Sequence, residues 1–230
     1  MKLLTVVGAP SAGKTSVILH LARVLRECGG LKTGVVKFGT LSERDTALFE
    51  KLRIPALSIL PAGECGDVCF GRMEEALLWA AGEGVDLLAA ELTGLCGRSF
   101  AKHRNVPCIC VADDPSGNRQ SDKLESLMKT ADIVAVTKGD AVSKAERSSF
   151  EDRIRRANPK AAVVYLNGVT GQGTVSLLRQ LRFPELDARR DLCLCSAARE
   201  AAEPCCADRE TEISSARHLC AACAEDSCCF

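Results

Sequence analysis

Residues 8–15 read Gly8-Ala9-Pro10-Ser11-Ala12-Gly13-Lys14-Thr15, followed by Ser16. Two glycines bracketing four residues, then a lysine and a hydroxyl side chain, is the spacing of a phosphate-binding loop. The setting agrees with the spacing. An apolar run over 2–7 precedes the loop and an amphipathic stretch opens near Lys14, so the loop joins a strand to a helix. Gly8 and Gly13 allow backbone N–H groups to turn inward around phosphate. The helix N-terminus and the Lys14 ammonium supply the opposing charge, and the Thr15 hydroxyl is of the kind that ligates Mg²⁺. Residues 8–16 therefore predict a site for a nucleoside triphosphate, with Lys14 and Thr15 as its chemical groups.

Outward from the loop, short apolar runs alternate with amphipathic stretches. Strands are expected at 3–7, 33–38, 56–60, 87–91, 107–112, 133–137 and 162–166. Helices are expected at 14–27, 44–52, 70–82, 122–130, 143–157 and 174–181. Strands this apolar on both faces belong to a mostly parallel, doubly wound α/β sheet covered by helices on each side. Ligands of such sheets collect beyond the carboxyl ends of the strands, and each motif below sits at one of those ends.

The 230 residues, 47% of them hydrophobic, suffice for one substantial core, assigned to 1–183. Thirty basic side chains offset thirty acidic ones, so no net field argues for nucleic acid or an anionic membrane. No apolar run reaches the roughly 18 residues of a membrane span, and the chain enters its first strand without a signal-like segment; a cytoplasmic protein is expected. The anomaly is 14 cysteines. In a reducing compartment these point to metal or redox chemistry rather than disulfides. Cys28, Cys108 and Cys110 are read as packing residues. Eight of the cysteines fall in 184–230, a lysine-free, Ala- and Arg-rich tail with few large aliphatic side chains. Within it Cys220 and Cys223, with Cys228, Cys229 or His218, have zinc-like spacing. Its composition equally suits a disordered tail or a stretch that is not native coding.

Thr137-Lys138-Gly139-Asp140 follows an apolar strand and has the form [NT]-K-x-D. The Asp140 carboxylate can accept two hydrogen bonds from the guanine N1–H and N2 amine, a pair adenine does not offer. Lys138 would lie over the ring and brace the phosphate loop. Asn167-Gly168, at the end of the last strand, offers backbone N–H groups to guanine O6. A solvated turn capping the next helix is the competing reading. Glu91-Leu92-Thr93-Gly94 closes the fourth strand, where an acidic residue holds Mg²⁺ and the Gly94 backbone can sense the γ-phosphate. Asp45, or its neighbour Glu43, is the candidate to orient an attacking water; acidic residues at a helix start also serve its dipole.

With these motifs in order, the first 180 or so residues resemble the SIMIBI-class GTPases of the HypB/UreG/CobW metallochaperone group. The likeness is carried by GAPSAGKTS, DTALFEKLRIPA with LSILPAGECGDVC, DLLAAELTG, ADIVAVTKGD and NPKAAVVYLNGVTGQG. It implies GTP and Mg²⁺ as ligands, slow GTP hydrolysis, a GTP-dependent homodimer, and a metal site between switch segments that loads a client metalloenzyme or its maturation factors. Cys65 matches the first family ligand, and Cys96 lies close to a second.

The sequence departs from that pattern in two places. Cys65 is followed by Gly66 where the family has histidine, and Cys69 appears instead. Gly39-Thr40 stands where an aspartate usually opens the switch. Three thiolates, Cys65, Cys69 and Cys96, favour zinc, Cu(I) or a shared iron–sulfur cluster over nickel. His103 is either a further ligand or part of a basic turn. The reading is a GTP-driven metallochaperone. The alternative is a GTP-dependent regulatory or docking protein whose cysteines are structural. A small-molecule kinase is disfavoured, since neither a lid nor a second substrate motif is found.

Overall fold

The computed structural model describes residues 1–60, 70–92, 106–113, 122–138 and 143–182. Seven strands form one sheet: β1 (Lys2–Gly8), β2 (Thr33–Phe38), β3 (Ala56–Ile59), β4 (Leu87–Leu92), β5 (Cys108–Ala112), β6 (Ile133–Thr137) and β7 (Ala162–Leu166). The helices are α1 (Lys14–Gly29), α2 (Glu43–Lys51), α3 (Phe70–Gly82), α4 (Asp122–Thr130), α5 (Lys144–Ala157) and α6 (Thr174–Gln180). Strand order is β3-β2-β4-β1-β5-β6-β7, and every neighbouring pair is parallel.

The elements lie where hydrophobic periodicity puts them, and the differences at their ends have local causes. Strand β3 stops at Ile59, and Leu60 is already exposed. Ser143 is not the first residue of α5 but its cap: its hydroxyl accepts from the Glu146 N–H while Glu146 accepts from the Ser143 N–H, a reciprocal capping box. The α1 helix runs on to Gly29 and is closed by Gly30 in the left-handed region, whose N–H returns to the Arg26 and Leu25 carbonyls.

Alternation along the strands divides the core into two layers. Leu3, Val36, Leu88, Ala90, Cys110 and Val134 face α3, α4 and α5. Leu4, Val6, Val35, Ala89, Ile109 and Ala135 face α1 and α6, with Phe49 of α2 packed on the same side. Both faces of the sheet are therefore dry, which is why the strands read as unbroken apolar runs. Odd positions of β2 and β4 face α1, and this parity decides where the polar residues at their carboxyl ends point.

Central β1 lies between β4 and β5, where the chain reverses its direction of travel across the sheet, so the loop after β1 opens at the topological switch point. Gly8 makes this possible. Its φ is +147°, and a Cβ there would stand 2.3 Å from the Val111 carbonyl oxygen of β5. Gly8→Ala is expected to lower stability by about 1–3 kcal/mol through backbone strain. Urea unfolding measures this, and an unchanged midpoint would mean that β1 and β5 are not held so close.

Candidate nucleotide site at the carboxyl edge of the sheet

The loop after β1 is shaped by left-handed residues, Ser11 at φ 61° and Gly13 at φ 94°. Gly13 is the N-cap of α1, and it contributes no side-chain cap; the first turn also carries no acidic residue. The unpaired N–H groups and positive pole of α1 are thus directed at the loop, an arrangement suited to an anion. Lys14 is buried and folds back over the loop, donating from Nζ to the carbonyls of Ala9 (2.8 Å) and Gly8 (3.1 Å). Burial lowers its pKa, with the nearby Glu91 carboxylate opposing that shift.

Thr15 Oγ1 donates to Glu91 Oε2 at 2.8 Å. Glu91 is 2% exposed, the fifth residue of an otherwise apolar strand, and its odd position turns it toward α1. Lys37 lies beside it in register on β2 and is also buried. Lys37 Nζ is 2.6 Å from Asp45 Oδ2 and 3.6 Å from Glu91 Oε1. Asp45 is held by the first turn of α2, whose cap Ser42 accepts from the Asp45 N–H. Burial alone would push the Asp45 carboxyl up, but hydrogen bonds from Lys37 and Ser42 together take it below the usual carboxylate range. Thr15, Glu91 and Asp45, singled out by sequence, thus converge through Lys37. That lysine was missed, although a charged residue at the penultimate position of Thr33–Phe38, a strand buried throughout, was a legible signal.

The other end of the loop is tied to β6 and β7. The buried Thr137 hydroxyl lies 2.8 Å from the Ala12 carbonyl and 3.3 Å from that of Ala112, donating between them. Lys138, at φ 56°, reaches back to the Ser11 carbonyl (3.4 Å) and pairs with Asp113 (2.9 Å). Lys138 thus touches the phosphate loop. Asn167 is occupied locally: its N–H donates to Gln172 O, and its Oδ1 accepts from Val169 and Thr170 N–H. Gly168 packs near Ser16, and its carbonyl accepts from His20 Nε2 at 3.0 Å. The loop after β7 is therefore seated on α1 itself. Sequence marks Thr137 only as the first residue of the [NT]-K-x-D motif, without this contact, and gives His20 no part.

Gly94, Asp140, Cys65, Cys69, Cys96, His103 and the tail cysteines lie outside the described residues. Among the described residues no group of three or more His, Cys, Asp or Glu side chains is placed to hold a metal ion. Nor is any described helix long and apolar enough to cross a membrane. Cys108 and Cys110 are buried in β5 as expected, and burial drives the Cys110 thiol far above its ordinary pKa, so it remains a protonated core group. Cys28 does not pack. The buried stripe of α1 ends at Leu25, and the last turn, where Cys28 sits, is exposed.

A parallel sheet with a phosphate loop after its central strand, a buried carboxylate at the loop hydroxyl and a lysine reaching back from β6 has the fold of a P-loop GTPase. Residues 2–165 match the family model described as the CobW/HypB/UreG nucleotide-binding domain. The chain belongs to this family of P-loop GTPases, whose members generally serve as metallochaperones. The uncharacterised protein MJ0120 of Methanocaldococcus jannaschii is 38% identical over 206 residues, covering 85% of this chain and 88% of its own. The fold is shared with the hydrogenase maturation factor HypB from Archaeoglobus fulgidus, at TM-score 0.64 and 21% identity over 78% of this chain and 87% of that one. It is shared as well with HypB from Helicobacter pylori in complex with nickel, at TM-score 0.61 and 20% identity over 87% and 88%.

Because the Asp45 pKa is depressed by folding, its contribution to stability is present above the unfolded carboxylate value of about 4 and is lost as pH falls through the lower folded value. Asp45→Asn is expected to cost about 1.5–3 kcal/mol at pH 7. The difference from the parent should vanish in acid. Chemical denaturation of both proteins across pH 2–7 reads this directly, and a pH-independent gap would count against the ion pair.

Proposed function

We propose that the protein is a slow, GTP-hydrolysing metallochaperone that couples nucleotide state to delivery of a metal or metal cluster to a client enzyme. The observation that carries the reading is the 2.8 Å contact between Thr15 Oγ1 and the buried Glu91 carboxylate, at the N-terminus of an α1 helix left without a side-chain cap. A hydroxyl and a carboxylate are hard oxygen donors and suit Mg²⁺, which when bound would neutralise charge on the β- and γ-phosphates. Residues 8–16 would hold the phosphates, Lys14 turning from the Gly8 and Ala9 carbonyls to them. Asp45 would orient water, and Gly94 would sense the γ-phosphate.

Base selection is assigned to Asp140, with Lys138 over the ring and Gly168 presenting its backbone. The contacts of Lys138 with Ser11 and of Gly168 with His20 and Ser16 support this, because they bind both segments to the phosphate loop and its helix. Asp140→Asn is expected to weaken GTP by about tenfold to a hundredfold while leaving ATP nearly unchanged, the loss of charged hydrogen bonds to one base only. Competition with a fluescent guanine nucleotide measures it. Equal losses for both nucleotides would remove the guanine assignment.

The cargo is assigned to Cys65, Cys69 and Cys96. Their segments leave the ends of β3 and β4, the edge of the sheet where Glu91 lies. Thiolates favour zinc, Cu(I) or an iron–sulfur cluster, while nickel is the metal named with the Helicobacter pylori relative. A homodimer formed with GTP would complete the site, and a client metalloenzyme or its maturation factors would receive the metal. Anaerobic purification with elemental analysis, with and without a GTP analogue, tests the coupling. Cys65→Ser with Cys69→Ser should abolish bound metal and spare nucleotide binding. Unchanged metal content with dimerisation intact would instead favour a GTP-dependent docking protein with structural thiols.

A further inference from the structure

Glu91 and Lys37, both buried, and the half-buried Asp45 form a run of charge that the nucleotide chemistry above does not use in full. Lys37 Nζ is the only ammonium within ion-pairing distance of either carboxylate among the described residues. It is 2.6 Å from Asp45 but 3.6 Å from Glu91, so one cation is shared unequally between a close acceptor on α2 and a looser one on β4. The Lys37 and Glu91 side chains are 10% and 3% exposed, leaving little water to screen either charge. Glu91 meanwhile has its second oxygen on Thr15. The same carboxylate therefore answers to two cations, Lys37 from behind and whatever metal the Thr15 hydroxyl helps to hold in front.

We propose that Lys37 is a positioning residue that acts as a resident counter-cation, shared between Asp45 and Glu91 when the site is empty and left to Asp45 alone when Mg²⁺ arrives with the nucleotide. This rests on the Mg²⁺–nucleotide reading of Thr15 and Glu91. Electrostatics fixes the direction of its consequences. Lys37 competes with Mg²⁺ for Glu91, so removing the ammonium leaves a buried carboxylate with one partner fewer and strengthens its hold on the metal. Removing the Asp45 carboxylate does the reverse, because the ammonium then has only Glu91 to pair with and opposes the metal more strongly. Mg²⁺ binding and the seating of the first turn of α2 become linked through one side chain, since Asp45 is the third residue of that helix.

The test is a Mg²⁺ titration of fluorescent GTP-analogue binding to the full-length protein, with the Mg²⁺ concentration at half-saturation as the readout. Lys37→Met is expected to lower that midpoint about fivefold to tenfold, Asp45→Asn to raise it by a similar factor, and Lys37→Arg to stay near the parent. A purely structural role for the trio predicts the same sign for both substitutions, a loss of metal affinity. Shifts in one direction therefore overturn the proposal while leaving the nucleotide site intact. Should Lys37→Met fail to fold, Lys37→Gln, which also removes the ammonium, takes its place: an unchanged or raised midpoint overturns the proposal. Parent protein that binds the analogue without any Mg²⁺ dependence overturns both this inference and the assignment of Thr15 and Glu91 beneath it.

Discussion

Burying the Glu91 carboxylate is the constraint that organises the site. An unpaired charge at 2% exposure would cost several kcal/mol, so the carboxylate has to be met by partners of fixed position. They come from three elements: Thr15 from the first turn of α1, Lys37 from β2, and, behind Lys37, Asp45 from α2. None of these can shift far without stranding a charge. Parallel pairing of β2 with β4 puts Lys37 opposite Glu91, and strand parity turns both toward α1. The geometry of the Glu91 end thus follows from sheet register and not from a loop conformation that must be held separately.

The phosphate end works by contrast of partners. Lys14 is desolvated, and its hydrogen bonds go to neutral carbonyl dipoles, from Gly8 and Ala9, with the Glu91 carboxylate acting on it at longer range. Neutral acceptors compensate an ammonium less well than charged ones, which agrees with the lowered pKa. A phosphate would offer the same ammonium full negative charge in the same dry setting. The uncapped first turn of α1 has the same character, with donors fixed in place by the helix and no side chain to satisfy them. Both features leave the protein short of negative charge at one spot, and an anionic ligand supplies it.

How much of this was legible in the chain depended on the scale of the signal. The sheet was readable because both layers of core demand apolar residues, as in Val35, Ala89 and Ile109 against Val36, Leu88 and Cys110, so its strands stand out as unbroken apolar runs between amphipathic helices. The phosphate loop was readable because its residue types are dictated by backbone geometry at Gly8 and Gly13. Lys37 escaped because a strand position identifies a face but not a partner, and its meaning came only from register with Glu91 and the approach of α2. The contacts of Thr137 and His20 escaped for a related reason: they are made to backbone carbonyls distant in sequence, Ala12 and Ala112 for Thr137 and Gly168 for His20, which no local pattern records. Cys28 was misplaced because helical periodicity continues its stripe past Leu25, whereas burial stops with the sheet that α1 covers.

The two ends of the site share a rigid part. Helix α1 presents Thr15 to Glu91 and Ser16 to the loop after β7 on its first turn, and His20 to that same loop about one turn further on. A carbonyl can only accept, so the His20 bond to Gly168 fixes the proton on Nε2 and with it the orientation of the ring. A Cβ on Gly171, which has φ +78°, would lie 2.6 Å from the Nδ1 of that same ring, so the loop can pass there only as glycine. Thr137 closes the circuit by joining β6 to the Ala12 carbonyl inside the phosphate loop. Displacement of the loop by phosphates would therefore be felt at Thr137 and Lys138, and displacement of the loop after β7 would be felt on α1. The loops after β1, β6 and β7 are thus joined through one helix and one buried hydroxyl, the hydroxyl being held between the carbonyls of Ala12 and Ala112.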